Sequence, residues 1–296
     1  VKAALERAHP TVVFDVRIIK TKGDAVLDTA LSKIGDKGLF TKELEAAMLD
    51  GEIDLAVHSL KDLPTSQPDG LAIGAVSARE TPNDVLIARS AESIDDLPRG
   101  ARVATGSLRR RSQLLAYRPD LRIVEIRGNV PTRIEKFLAS DLDAMILAYA
   151  GVHRLGLDTH ISQIVPTAIL LPAVGQGVMA VEIRAGDEEL RLMLNVINDP
   201  ETESCIRAER AFLRRLEGGC QVPIGAAAAR AGDGIKLEGY VGSPDGSRAI
   251  RDAIDGSADV AGAVGGELAD RFIAAGAGSV LGEARGIVSE TAAEVL

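Results

Sequence analysis

The sequence has no tryptophan, only eight aromatic residues (three Tyr, five Phe) and two cysteines in 296 residues. So few aromatics leave few platforms on which nucleic-acid bases could stack. Two cysteines, Cys205 and Cys220, cannot build a disulfide framework, and their sparseness suits a reducing compartment. Neither has the partner spacing of a zinc site. Long apolar runs are missing too. The best, Ala144 to Val152, stops after nine residues, against the roughly 20 needed to span a bilayer. Positive charge is in deficit, with 34 Lys+Arg against 43 Asp+Glu and a formal charge of −9. That balance disfavours general binding to nucleic acid or to an anionic membrane. An initiator methionine is also absent. The chain opens Val1-Lys2-Ala3-Ala4-Leu5-Glu6-Arg7, which reads as the middle of a helix, so a preceding segment is expected.

What is present describes an ordinary globular chain, 46% hydrophobic and 26% charged. Its length suits two or three domains. Val12 to Lys20 is β-branched and partly alternating, which predicts a strand. Phe40, Leu44, Ala47 and Met48 recur at helical spacing before Asp50-Gly51. Further strands are expected at Ile53–Leu60, Leu71–Val76, Asp84–Ala88, Arg102–Ala104, Arg122–Ile126 and Ala144–Ala148, with helices at Leu108–Tyr117 and Thr132–Ala139. Such alternation predicts an α/β fold with a mainly parallel sheet covered on both faces. After Asp199-Pro200, an N-cap followed by proline, the pattern changes. A helix carrying Cys205, Ala208, Phe212 and Leu216 on one face leads to three hairpin-connected strands and a last helix, Ala258 to Ala275. The expected domains are a discontinuous first lobe (1–78 and 177–197), a second lobe (79–176) and a small α+β unit (198–296).

Charge is unevenly spread. Between Arg99 and Lys136 ten Lys/Arg face three Asp/Glu. Thr105-Gly106-Ser107-Leu108-Arg109-Arg110-Arg111 follows one expected strand and opens a helix, and Arg127-Gly128-Asn129-Val130-Pro131-Thr132-Arg133 repeats the arrangement after the next. Ligands of open α/β sheets bind outside the carboxyl ends of strands. Helix N-termini attract anions there, and arginine grips carboxylate or phosphate with two parallel donors. Arginine in a first helical turn opposes the helix dipole, a placement more easily explained with an anion present. The competing reading is a solvated helix face with surface ion pairs, which suits Arg111 and Arg118 better than Arg109, Arg110, Arg127 or Arg133.

The segment His58-Ser59-Leu60-Lys61-Asp62-Leu63-Pro64 puts a Lys–Asp pair at the end of a buried strand, either as an anion anchor and proton carrier or as a solvated turn. His58 reads as a core histidine rather than a base. Glu217-Gly218-Gly219-Cys220-Gln221 sets a cysteine on a glycine-flanked loop, whereas Cys205 reads as core. Leu171-Pro172-Ala173-Val174-Gly175-Gln176-Gly177 lacks the ending of a phosphate-binding loop and reads as a crossover between lobes, with Gln176 open to a cleft ligand.

Together these segments resemble the porphobilinogen deaminase (hydroxymethylbilane synthase) family. The resemblance is carried by Thr21-Lys22-Gly23-Asp24, Gly38 to Leu44, His58 to Pro64, Ser107 to Arg110, Arg127 to Val130, Leu171 to Gly177 and Glu217 to Gly225. These stand in order along nearly the whole chain. It implies a transferase that deaminates porphobilinogen and joins four units head to tail into 1-hydroxymethylbilane, on the route to haem and other tetrapyrroles. The implied fold is two periplasmic-binding-protein-like α/β lobes plus a small α+β C-terminal domain. The implied cofactor is dipyrromethane, covalently attached through Cys220, with Asp62 as the catalytic carboxylate beneath the pyrrole nitrogens. Ser59, Lys61, Thr105, Ser107, Arg109, Arg110 and Gln176 would hold that cofactor. Arg127, Arg133 and Arg154 would hold substrate and the growing chain, and no metal is implied. A monomer in the cytoplasm, or in a plastid, acting without nucleic acid or membrane, is the expected setting. The family's opening strand, with its Thr-Arg-x-Ser-Pro-Leu-Ala segment, has no counterpart here, so the first lobe is expected to lack a strand and an anion clamp. The alternative is a non-catalytic two-lobed receptor for carboxylates, which would need neither Cys220 nor a third domain.

Overall fold

The computed structural model describes residues 1–21, 41–216 and 222–284. Its main helices are α1 (Lys2–Ala8), α2 (Lys42–Leu49), α3 (Leu108–Tyr117), α4 (Val130–Leu138), α5 (Tyr149–His153), α6 (Glu188–Met193), α7 (Pro200–Arg215) and α8 (Ala261–Ala274). Polar caps fix four of the starts, that of α6 through Asp187. Side chains of Ser107, Asn129 and Asp199 accept from the backbone N–H groups of Arg110, Thr132 and Thr202 respectively, satisfying donors that a helix start leaves without partners.

The strands are β1 (Leu55–Ser59), β2 (Leu71–Val76), β3 (Asp84–Ala88), β4 (Arg102–Ala104), β5 (Arg122–Val124), β6 (Ala144–Ala148), β7 (Gln163–Ile164), β8 (Met179–Arg184), β9 (Ile224–Ala231), β10 (Gly234–Gly242) and β11 (Ala249–Ser257). They form three described sheets. In the first, β8 lies between β1 and β2 and runs antiparallel to both. The second has the order β5-β4-β6-β3-β7. The third is the meander β11-β10-β9, with β10 and β11 joined by a turn at Ser243–Gly246.

The expectation of a mainly parallel sheet is corrected. Among the described strands only β4–β5 and β4–β6 pair in parallel, while β3 runs antiparallel to β6 and β7. The reason lies in the crossovers. β3 begins where the chain enters the second sheet and β6 ends at that same side, with Asp84 opposite Ala148. A second correction concerns Val12 to Lys20, where residues 13–20 form no strand. Val13, Val16 and Ile18 are exposed, and no described strand lies alongside to complete a ladder, without which β-branched composition does not make a sheet.

The third sheet is covered by α7 and α8. Cys205, Ala208, Phe212 and Leu216 all face this core, as their spacing predicts. The rings of Phe212 and Phe272 meet edge to face with centroids 5.0 Å apart, and burying each contributes about 1.5–3 kcal/mol.

Candidate active site

β1 ends in a turn set by its apolar neighbours. Leu60 is buried, and its N–H donates to the Val178 carbonyl at 3.0 Å. The Leu63 N–H returns to the Leu60 carbonyl at 3.1 Å, closing one 3₁₀ turn over Leu60–Asp62. Pro64 then prevents continuation. The turn leaves Lys61 half-buried, with Ser59 and Asp62 exposed.

The loop after β4 is held by its own hydroxyls. Thr105, itself buried, accepts from the Ser107 N–H at 3.2 Å, and Ser107 caps α3. The first turn of α3 then carries Arg109 and Arg110 inward, where they are 4% and 5% exposed. Both meet Asp84, a fully buried carboxylate that opens β3. Arg109 Nη1 donates to Asp84 Oδ2 at 2.8 Å and to the Leu171 carbonyl at 2.7 Å. Arg110 donates to Asp84 Oδ1 through Nε at 3.1 Å and Nη2 at 2.8 Å, and through Nη1 to the Ile146 carbonyl. Burial alone would raise the Asp84 pKa, but the two guanidinium charges and their hydrogen bonds hold it well below the usual carboxylate range. The anion that explains arginine in this first helical turn is therefore, at least in part, Asp84.

Gln176 belongs to the same knot. It is 1% exposed, and its Nε2 donates to the Pro82 carbonyl at 2.6 Å and to Asp84 Oδ1 at 2.9 Å. The expectation of a Gln176 amide open to a cleft is corrected for its Nε2, which is committed to protein partners, while Oε1 is buried with no hydrogen-bond partner.

Arg127 and Arg133 flank the start of α4. Gly128 has φ +120°, and a Cβ there would lie 2.8 Å from Thr132 Cγ2, so this bend admits glycine alone. Its carbonyl accepts from Arg133 Nε at 2.6 Å. Burial, then repulsion from Arg110 and Arg127, pulls the Arg133 pKa down to about 10, with Asp62 opposing the shift. The Arg127 Nη1 atom is buried with no hydrogen-bond partner. Arg154 is exposed and donates to the Gly177 carbonyl at 2.8 Å. Arg118 is the structural residue the sequence suggested, bound to Asp120 and to the carbonyls of Ile94, Asp95 and Leu97. Arg111 donates to the Pro244 carbonyl.

These groups share one electrostatic environment. Burial lowers the Lys61 pKa, and the charges acting on the ammonium are Asp62, Arg110, Asp84 and Arg109. Asp62 and Arg110 also act on Arg133. The turn after β1, the start of β3, the first turn of α3 and the start of α4 thus converge, with five cations against two carboxylates. A buried guanidinium nitrogen without a partner, beside a cation whose pKa is depressed, marks a place short of negative charge. Such a site can bind a ligand bearing several carboxylates, with one carboxylate, Asp62, at its exposed face.

Sequence reasoning missed Asp84. Its signal was present: one acid heading an otherwise apolar strand, Asp84-Val85-Leu86-Ile87-Ala88, requires a buried partner. It also missed Glu209, fully buried on α7, which accepts from Arg79 Nη1 and from the N–H groups of Gly175 and Ala228, the latter two at 2.8 and 2.7 Å. His58 is buried as expected, with Nε2 3.2 Å from Glu182 Oε2. Cys220, the expected attachment point, lies outside the described residues, as do 22–40 of the motifs quoted above.

The chain is similar to known proteins. The family model for the porphobilinogen deaminase dipyrromethane cofactor binding domain matches residues 1–192, and that for the porphobilinogen deaminase C-terminal domain matches 203–274. The porphobilinogen deaminase of Pelotomaculum thermopropionicum is 53% identical over 281 residues, covering 95% of this chain and 90% of the relative. That of Desulforudis audaxviator is 51% identical over 281 residues, covering 95% and 91%. Among solved structures, the Bordetella pertussis BvgS periplasmic VFT2 domain aligns with 53% of this chain and 65% of its own at 19% identity, with a TM-score of 0.34.

Proposed function

The chain belongs to the porphobilinogen deaminase family, and from that premise we propose how its own residues divide the labour. Its activity is that of a hydroxymethylbilane synthase, a transferase of tetrapyrrole biosynthesis that acts on the small molecule porphobilinogen and uses a dipyrromethane cofactor. The fold is α/β with a small α+β C-terminal domain. We assign residues 1–78 and 177–197 to a first lobe, 79–176 to a second and 198–296 to a third domain. The separation of the three sheets supports that division. No helix among the described residues is long and apolar enough to cross a membrane. We read it as a cytoplasmic monomer that engages neither nucleic acid nor membrane, and the acidic net charge supports the lack of general binding to either.

The residues present fit a dipyrromethane group, because the cations Lys61, Arg109 and Arg110 outnumber the carboxylates acting beside them, and Arg127 Nη1 is left unpartnered for the carboxylates of an incoming ring. When bound, that group supplies the pyrrole to which successive rings are joined. Lys61, Arg109 and Arg110 would hold it, with Ser59, Thr105 and Ser107 shaping the loops and Gln176 acting through Asp84. Cys220 would tether it, so that each coupling takes place with a held partner. Arg127, Arg133 and Arg154 would bind the acetate and propionate groups of substrate.

Asp62 carries the chemistry. Loss of ammonia from the aminomethyl carbon of porphobilinogen leaves positive charge shared with the pyrrole nitrogen. A fixed carboxylate beside it lowers the energy of that charge more in a water-poor cleft than in bulk water. The same carboxylate can take up and return a proton at its Oδ atoms as each ring reacts. The observation that carries this reading is the convergence of the exposed Asp62 with Lys61, Arg110 and Arg133 from separate segments.

The direct test is Asp62→Ala. The variant is expected to fold and retain the covalent adduct seen by denaturing mass spectrometry, yet to lose nearly all turnover. Substantial residual turnover would remove Asp62 from the mechanism.

A further inference from the structure

Behind the Leu60–Asp62 turn lies a second charged cluster that the mechanism above does not use. Glu182 on β8 is 0% exposed, and neither carboxylate oxygen accepts a hydrogen bond in the structure. His58 Nε2 stands 3.2 Å from Oε2. The two residues are diagonal neighbours on one face of the antiparallel pair, since His58 faces Ala180 and Glu182 faces Ala56. From the other side comes Arg210 of α7, 8% exposed, whose Nη2 donates to the Pro64 carbonyl at 2.5 Å and to Gln67 Oε1 at 3.1 Å. Glu182 is the anion acting on the Arg210 guanidinium, and Arg214 the cation.

A buried carboxylate needs a compensating charge, and the cation that Glu182 acts on is Arg210 of α7, while the His58 ring of β1 stands at hydrogen-bonding distance. His58 stands two residues before Leu60, and Pro64 two residues after Asp62. The turn bearing Asp62 is therefore gripped on both flanks, by β8 through His58 and by α7 through Arg210. Arg214 adds a third contact, donating to the Thr65 carbonyl. α7 ends at Arg215, five residues before Cys220.

We propose that His58, Glu182 and Arg210 are positioning residues that fix the Leu60–Asp62 turn to α7, and so set the position of Asp62 in the site. This extends the proposed function and rests on it. None of the three is placed in contact with substrate; they act through the backbone of the turn.

A charge-balanced double variant separates positioning from stability. Arg210→Met alone leaves Glu182 without its cationic neighbour and should lower Tm. Adding Glu182→Gln removes the stranded charge and should restore most of that loss, without restoring the donors to Pro64 and Gln67. In the holoenzyme of the double variant, the intact mass of the covalent adduct should equal wild type. The kcat should fall by about 10²-fold, the scale of a small misplacement of a catalytic group, with KM for porphobilinogen within about twofold. Arg210→Lys, which keeps one donor and the charge, should recover part of kcat. A second readout needs no activity: amide hydrogen exchange over residues 60–67 should quicken by roughly tenfold relative to the rest of the chain. Wild-type kcat together with unchanged exchange protection in the folded double variant would overturn the proposal. Slowed turnover with unchanged exchange would overturn it as well, since the effect would then not pass through the turn. Failure of wild type itself to turn over would count against the family activity, while the exchange result would still decide the positioning claim.

Discussion

Asp84 neutralises one of the two guanidinium charges it touches and orients both, so the site's geometry depends on a residue that faces no solvent. Asp84→Asn would leave Arg109 and Arg110 buried without that charge, and is expected to cost about 3–5 kcal/mol in urea unfolding at neutral pH. The acid dependence has a definite sign. The folded-state pKa of Asp84 lies below its unfolded value. Its contribution is therefore complete above about pH 4 and is lost as pH falls through the depressed folded value. Unfolding free energy measured from pH 7 downward should decline less steeply below about pH 4 in the Asn variant than in wild type. Equal slopes would mean that Asp84 is not held as a carboxylate by the arginines.

At the scale of elements, α7 joins the rest of the molecule together. Glu209 receives Arg79 from the crossover into the second sheet, the Gly175 N–H from the crossover back, and the Ala228 N–H of β9. Glu209→Ala leaves a buried guanidinium and two backbone donors unmatched, and should cost about 3–5 kcal/mol, whereas Glu209→Gln, which keeps an acceptor, should cost less. Thermal or urea unfolding of the two variants decides this, and equal costs would contradict it. Much of α7 was legible in the sequence, because Asp199 and Pro200 mark its start and Cys205, Ala208, Phe212 and Leu216 mark its face. The helices after β4 and β5 were legible from their spacing, although the second was expected from Thr132 and starts at Val130, where Asn129 caps it. What the sequence did not disclose was pairing. Strand direction depends on where the crossovers enter each sheet, which no local pattern encodes, and the β-branched stretch 13–20 carries strand composition without a described neighbour. In the site, the motif segments were found, but the partners of Arg109, Arg110 and Gln176 were not. Those partners are set by a lone aspartate more than twenty residues away in sequence.

For the whole molecule, the net −9 conceals a cationic site inside an acidic body. Substrate carboxylates are drawn to that site by its cations, an attraction that salt screens, so binding should respond to salt more than chemistry does. Raising ionic strength from about 0.05 to about 0.5 M should increase KM for porphobilinogen while leaving kcat largely unchanged. A fall in kcat alone would contradict the electrostatic reading. The central claim is that this chain assembles tetrapyrrole on a dipyrromethane group anchored at Cys220, and an intact-protein mass spectrum under denaturing conditions tests it most directly. The account predicts added mass equal to two pyrrole units, further mass on incubation with porphobilinogen, and neither in Cys220→Ser. An unmodified wild-type chain that gains no mass from porphobilinogen would contradict it.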